Sequence, residues 1–194
     1  GSHSRRVAEH AKQLGKLLGY SEKEVTELEV AGLLHDIGKV GLPGFMLEKN
    51  VVDYSPDELE IYRTHVISGA ESLAELTGYE NVRAIIKGHH ERYDGSGFPF
   101  GYSGSDIPKQ AYIVGIADQY DHLINRVCAD AGYNYQLSCQ RIAEMDDRGF
   151  PRRIVQATLN YIETINNRKG SENETRVSVL NLRTGMMLTR DVFT

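Results

Sequence analysis

His89-His90-Glu91-Arg92-Tyr93-Asp94-Gly95-Ser96-Gly97-Phe98-Pro99 is the stretch from which the rest of this chain is read. Two adjacent imidazoles end an apolar-periodic segment carrying Val82, Ile85 and Ile86, and a glycine-bearing loop follows at once. Neighbouring residues on a helix point about 100° apart, so both imidazoles can serve one site only near a helix end. The loop supplies that end. Gly95, Gly97, Gly101 and Gly104, with Pro99, make the segment from Tyr93 to Ile107 a shaped loop. A loop of that length inside a compact domain favours a functional role.

Working outward, each flanking segment contributes one further polar group on a face that reads as buried. Val7, Ala11, Leu14 and Leu18 recur at helical spacing until Gly19 stops the helix, and Ser21 with Glu24 forms a capping-box pattern that starts the next. Leu28, Gly32 and His35 fall on one stripe, which places His35-Asp36 in the last turn of a buried helix before Gly38 and Gly41 break the chain. Ser55-Pro56-Asp57-Glu58 is a helix start, and Ile61, His65, Gly69 and Leu73 share a face beyond it. Pro108 opens a helix whose stripe is Ala111, Gly115, Asp118 and His122. His10 and His122 read as structural or solvent-facing. Leu137, Ile142 and Met145 suggest a short helix, and Pro151 starts a last one with Ile154, Val155, Leu159 and Ile162.

The composition is that of an ordinary soluble globular protein: 194 residues, 40% hydrophobic and 25% charged. That length suits one well-buried domain with a small appendage. No run approaches the roughly 18 apolar residues that span a bilayer, and no signal-peptide pattern opens the chain. A net charge of -5 argues against a nucleic-acid polymer as partner. Cys128 and Cys139 have no metal or redox spacing and read as reduced thiols in a cytoplasmic protein. Past the polar linker Asn166 to Ser171, the segment from Arg176 to Leu182 alternates as a strand, Thr184-Gly185 turns, and Met186 to Val192 offers a second strand.

Five imidazoles (His3, His35, His65, His89, His90) and two carboxylates (Asp36, Asp118) on five segments make a nitrogen/oxygen metal site without thiolates. Such a set suits Fe, Mn, Zn or Ni and exceeds what one tetrahedral zinc needs. Two metals about 3.5–4 Å apart would use it, clamp both oxygens of an in-line displacement at phosphorus and generate hydroxide near neutral pH. Phosphoester hydrolysis is the reaction that most needs this. Gly1-Ser2-His3 also resembles the scar of a cleaved affinity tag, which puts the origin of His3 in question.

His35-Asp36-Ile37-Gly38-Lys39 resembles the signature of the HD phosphohydrolase superfamily, and His89 to Pro99, followed by Ile107-Pro108 and Ala117-Asp118, resembles its HD-GYP subgroup. The resemblance implies an all-α HD-type bundle of about seven helices over 3–168, with a short β extension over 172–194. It implies a phosphodiesterase that hydrolyses cyclic di-GMP to pGpG or GMP through a metal-bridging hydroxide. By the same resemblance His3, His35, Asp36, His65, His89, His90 and Asp118 are metal ligands, with Asp36 as the bridge. Asp36 and Lys39 carry the catalysis, and Lys39, Asp94, Gly97, Phe98, Pro99 and Arg126 face the substrate. The implied cofactors are two divalent ions, Fe or Mn ahead of Zn or Ni, with a third metal left open. Implied partners are the cyclic dinucleotide and an N-terminal receiver or sensory domain, with a homodimer and a diguanylate cyclase left open.

Three departures stand out. Phe98 replaces the family tyrosine. Asp121-His122-Leu123-Ile124-Asn125-Arg126 replaces the usual Asp-Ala-Leu-Thr and basic element, so Arg126 matches only with one residue missing. The glutamate that holds a third metal in some members would precede residue 1. A non-catalytic cyclic-dinucleotide receptor, or a phosphohydrolase of another nucleotide such as 3′3′-cGAMP, are the alternatives.

Overall fold

The computed structural model describes residues 2–127 and 135–167, which are mostly helical and contain no sheet. The expected strands over 172–194 lie outside the described residues, as does Cys128. Cys139 is a free, half-buried thiol.

Helix α1 (Ser2–Leu18) buries Val7, Ala11 and Leu14 on one stripe and lies against α2 (Glu22–Leu34) and α7 (Lys109–His122). The capping box at Ser21 forms, with Ser21 Oγ accepting the Glu24 N–H and the Glu24 carboxylate accepting the Ser21 N–H. Such a cap stabilises a helix start by about 1 kcal/mol. Beyond α2 the chain tightens into a 3-10 turn (Ile37–Gly41), then a short helix α3 (Gly44–Leu47). His35 is thus the C-cap of α2 and Asp36 the residue that opens the 3-10 turn. Both lie just past the helix rather than in its last turn.

Ser55 caps α4 (Pro56–Arg63), again with a capping box and with Pro56 in the first turn. One continuous helix through residue 73 does not form. Thr64 breaks it, and α5 (His65–Glu71) begins immediately after. The break changes the face. Ile61, expected beside His65, is 42% exposed, whereas Tyr62 is the buried residue of α4 and His65 is fully buried. At the break Thr64 N–H and Oγ1–H both turn back to the Ile61 carbonyl, tightening the backbone.

Helix α6 (Glu80–Gly88) carries Val82, Ile85 and Ile86 inward, and the central α7 buries every side of its middle from Ala111 to Ala117. A π turn (Leu123–Val127) continues α7, and after α8 (Tyr135–Ala143) a last helix, α9, covers 152–167. One core joins α1, α2, α6, α7 and α9. A small second cluster of Leu42, Met46 and Tyr62, with Tyr54 and Phe98 against it, supports the site from the other side. Among the described residues no helix is long and apolar enough to cross a membrane.

Candidate metal centre

The helix ends deliver their polar groups to one place. Two groups of potential ligands form, each with its ligand atoms within 4.8 Å of one another: Asp36, His65, His89 and His90, and His3, His35 and Asp118. These are the seven residues singled out from the sequence. Asp36 faces both groups. Its Oδ1 lies 3.6 Å from His65 Nε2, and its Oδ2 lies 3.4 Å from His35 Nε2 and 4.0 Å from His3 Nε2.

The imidazoles are aimed by their own backbones. Nδ1 of His35, His65 and His89 lies 2.8, 2.6 and 2.6 Å from the carbonyl oxygens of Gly32, Tyr62 and Ile86, three residues earlier in each case. A carbonyl oxygen has no hydrogen to give, so each Nδ1 carries a proton and Nε2 is the atom turned to the centre. Burial works against a charge on His35, yet Asp36 and Asp118 beside it raise its pKa. The Nε2 atoms of His35, His65, His89 and His90, with Oδ1 of Asp36, are buried and make no hydrogen bond. Leaving one buried polar atom unsatisfied costs about 1–3 kcal/mol, so several converging on one point call for a cation.

Protonation states agree with that demand. Burial lowers the pKa of His65 to about 4 and of His89 to about 3, and pushes His90 well below the ordinary histidine value. These rings are neutral at pH 7 and ready to ligate. Burial works against a charge on Asp36, yet His35 and Lys39 together hold it far below the usual carboxylate range. Asp36 is therefore an anion, and Lys39 Nζ donates to its Oδ2 at 2.7 Å.

Close helix approach makes the convergence sterically feasible. A side chain at Gly38 would run into the His65 carbonyl oxygen and come within 2.6 Å of Gly69 N, and one at Gly115 would run into the His89 carbonyl oxygen. Only glycine lets these backbones touch the histidine-bearing turns. Aromatic rings close the rear. Phe98 lies 4.6 Å from His90 between ring centres, and Tyr62 lies 4.7 Å from His65.

Two further residues shape the site without any mark in the sequence pattern. Asp121 is buried and binds His3 Nδ1 at 2.7 Å, which orients His3 Nε2 to 3.2 Å from Asp118 Oδ1. Arg6 grips the same carboxylate through Nε at 2.6 Å and Nη2 at 3.0 Å. Both stand three residues from a candidate ligand, Arg6 after His3 and Asp121 after Asp118, which is the spacing that shares a helix face. Hydrogen bonds to Asp118 and Asp121 raise the His3 pKa to about 9. His10 is structural, with Nδ1 at 2.9 Å from the Tyr161 hydroxyl.

In front of the ligands lies a cleft of about 490 Å³ lined by Asp36, Lys39, Tyr62, His90, Asp118 and Asn125, among others. Of the residues expected to face substrate, Lys39 lines it. Asp94, Gly97, Phe98 and Pro99 do not line it. Asp94 Oδ1 accepts from Ser96 N–H and Oγ–H, Gly97 packs on the His90 carbonyl, and Phe98 backs the histidines. The Arg126 side chain lies outside the described residues.

Residues 1–154 match the HD domain family. A cyclic di-GMP phosphodiesterase of Thermotoga maritima is 36% identical over 165 residues, covering 84% of this chain and 45% of that protein. A 3′3′-cGAMP-specific phosphodiesterase of Vibrio cholerae is 33% identical over 164 residues, covering 83% of this chain and 31% of that protein. The chain therefore spans less than half the length of these relatives. Among solved structures, an HDG"Y"P protein of Bdellovibrio bacteriovorus superposes with a TM-score of 0.68 at 24% identity, over 83% of this chain and 51% of that one.

Proposed function

The chain belongs to the HD domain family, and from that premise we propose that it is a metal-dependent phosphodiesterase of guanine-containing cyclic dinucleotides, with cyclic di-GMP as its substrate. The single observation that carries the reading is the convergence of orphaned histidine Nε2 atoms on a half-buried, ionised Asp36 at the floor of an open cleft. Asp36, His65, His89 and His90 would hold one divalent ion and His3, His35 and Asp118 a second, with Asp36 facing both. Fe or Mn fits this nitrogen/oxygen donor set. When bound, such ions supply Lewis acidity at the phosphoryl oxygens and an activated water nucleophile.

The protein's own groups do the rest. Three carboxylates in the cleft, Asp36, Asp118 and Asp121, are matched by three cations, Arg6, Lys39 and protonated His3. Two divalent ions would make the cleft net positive and attractive to a phosphodiester. Lys39 serves the phosphate side. With the charge of Asp36 taken up by metal, Lys39 Nζ turns to a non-bridging phosphate oxygen and stabilises the charge that develops there. Phe98 excludes water from behind the histidines, and Tyr62 packs on His65 at the cleft wall. Asp121, itself held by Arg6, keeps His3 in one orientation.

Hydrolysis of cyclic di-GMP by protein loaded with Mn or Fe tests this reading, with linear pGpG or GMP followed by chromatography. Lys39→Ala should lower kcat by about 10²–10³-fold, the range for loss of one charge-stabilising donor, while metal content stays unchanged. A metal-loaded wild-type protein that binds cyclic di-GMP and releases no product over hours would overturn the catalytic reading in favour of a receptor.

A further inference from the structure

Beyond Asp118 the cleft wall is built by a stretch that the metal chemistry does not use. The π turn over Leu123–Val127 widens the end of α7, and Asn125 lies in its middle, lining the same cleft as Lys39 and Asp118. π turns are rare and recur at functional sites. The amide of Asn125 has one orientation. Its Nδ2 donates to the Asp121 carbonyl oxygen at 2.9 Å and to Asp121 Oδ1 at 3.0 Å. Neither acceptor carries a hydrogen, so the NH2 group must face them, and Oδ1 is the atom left to offer a ligand. The frame is rigid as well, because Arg6 and His3 clamp the same Asp121 carboxylate.

Position gives this acceptor a meaning. Seven residues of helix separate Asp118 from Asn125, an axial distance of roughly 10 Å. That is the scale on which the outer edge of a purine stands from the phosphorus of its own nucleotide. An oriented carbonyl there selects N–H donors. The Watson–Crick edge of guanine presents two side by side, N1–H and the 2-amino group. Hypoxanthine keeps only the first, and adenine replaces the first with an acceptor.

We propose that Asn125 is a specificity-determining residue whose Oδ1 accepts from N1–H and the 2-amino group of a guanine in the bound cyclic dinucleotide. The assignment rests on the cyclic-dinucleotide reading above and adds the atom that reads the base. A site built this way favours substrates with at least one guanine and disfavours cyclic di-AMP.

The experiment pairs a protein change with a ligand change. Dissociation constants are measured by calorimetry on the metal-loaded chain, using hydrolysis-resistant phosphorothioate forms of cyclic di-GMP and cyclic di-IMP, which differ only in the 2-amino groups. Initial rates on the natural diesters run alongside. Wild type should prefer the guanine ligand by about 3- to 10-fold, the worth of a neutral hydrogen bond, and Asn125→Ala should abolish that preference. Asn125→Ser keeps a hydroxyl that can bond back to the Asp121 carbonyl four residues earlier but loses the outward oxygen, so it should behave like the alanine variant with metal content intact. A guanine preference undiminished in both variants would overturn the assignment. Guanine preference without turnover would uphold Asn125 and sink the enzymatic reading instead.

Discussion

Asp36 and Asp121 play complementary roles at the scale of single side chains. Asp36 presents one oxygen to each ligand group, whereas Asp121 touches no ligand group directly except through the far nitrogen of His3. Their loss should therefore read differently. Asp121→Asn removes the charge that holds His3 and Arg6 but keeps the shape. Outer partners of this kind are worth about 10–100-fold in metal affinity. We expect a metal titration of that variant to show one site weakened by such a factor and the other unchanged. Equal weakening of both sites would mean that Asp121 acts on the whole fold rather than on His3. Of the seven clustered residues, His35, His65, His89 and Asp118 were legible as polar groups on apolar stripes, Asp36 and His90 as their neighbours, and His3 through the family resemblance. Asp121 and Arg6 were not, because an Asp–Arg pair on two helices has no local signature until α1 and α7 are seen side by side.

Elements place those side chains, and here sequence periodicity reached only part of the way. Helix starts at Ser21 and Ser55 follow from capping chemistry and form where expected. The break at Thr64 does not follow from propensity, since nothing between Pro56 and Leu73 is a strong helix breaker. It is set by the crossing of the 3-10 turn over α5, where the Gly38 backbone abuts His65 and Gly69. Gly38→Ala should force these backbones apart, at a cost of about 1–3 kcal/mol for overpacking. For a chain of this size each kcal/mol lowers Tm by about 2–4 °C, which differential scanning calorimetry of the metal-free protein would read. An unchanged Tm would show that the crossing can relax. The loop after His90 was legible as a shaped loop. Its role was less so: Phe98 and Gly97 support His90 from behind, while the cleft-facing wall comes from α7 and its π turn.

Over the whole molecule, one core links both ends of the described chain, so a metal bound at the candidate centre would be coupled to the fold. The orphaned nitrogens belong to residues on or at the ends of α2, α5 and α6, and a ligand that joins these helices binds the native state alone. Chelation should lower Tm and excess Mn should restore it, with about 2.7 kcal/mol of stabilisation at a hundredfold excess over Kd. A melting curve indifferent to chelator would imply a site already satisfied without metal. The all-α architecture was readable because amphipathic stripes and caps recur along the chain. The depth and lining of the cleft were not, because they depend on how α1, α4 and α7 meet.

We propose that Asp36 joins two metal sites on this one chain. Elemental analysis of protein reconstituted with Mn or Fe, compared with the Asp36→Ala, His65→Ala and His3→Ala variants, tests it most directly. We predict two ions per chain in wild type, near-complete loss in Asp36→Ala, and retention of about one ion in each histidine variant. Two ions retained without Asp36, or none bound by the wild-type chain, would contradict it.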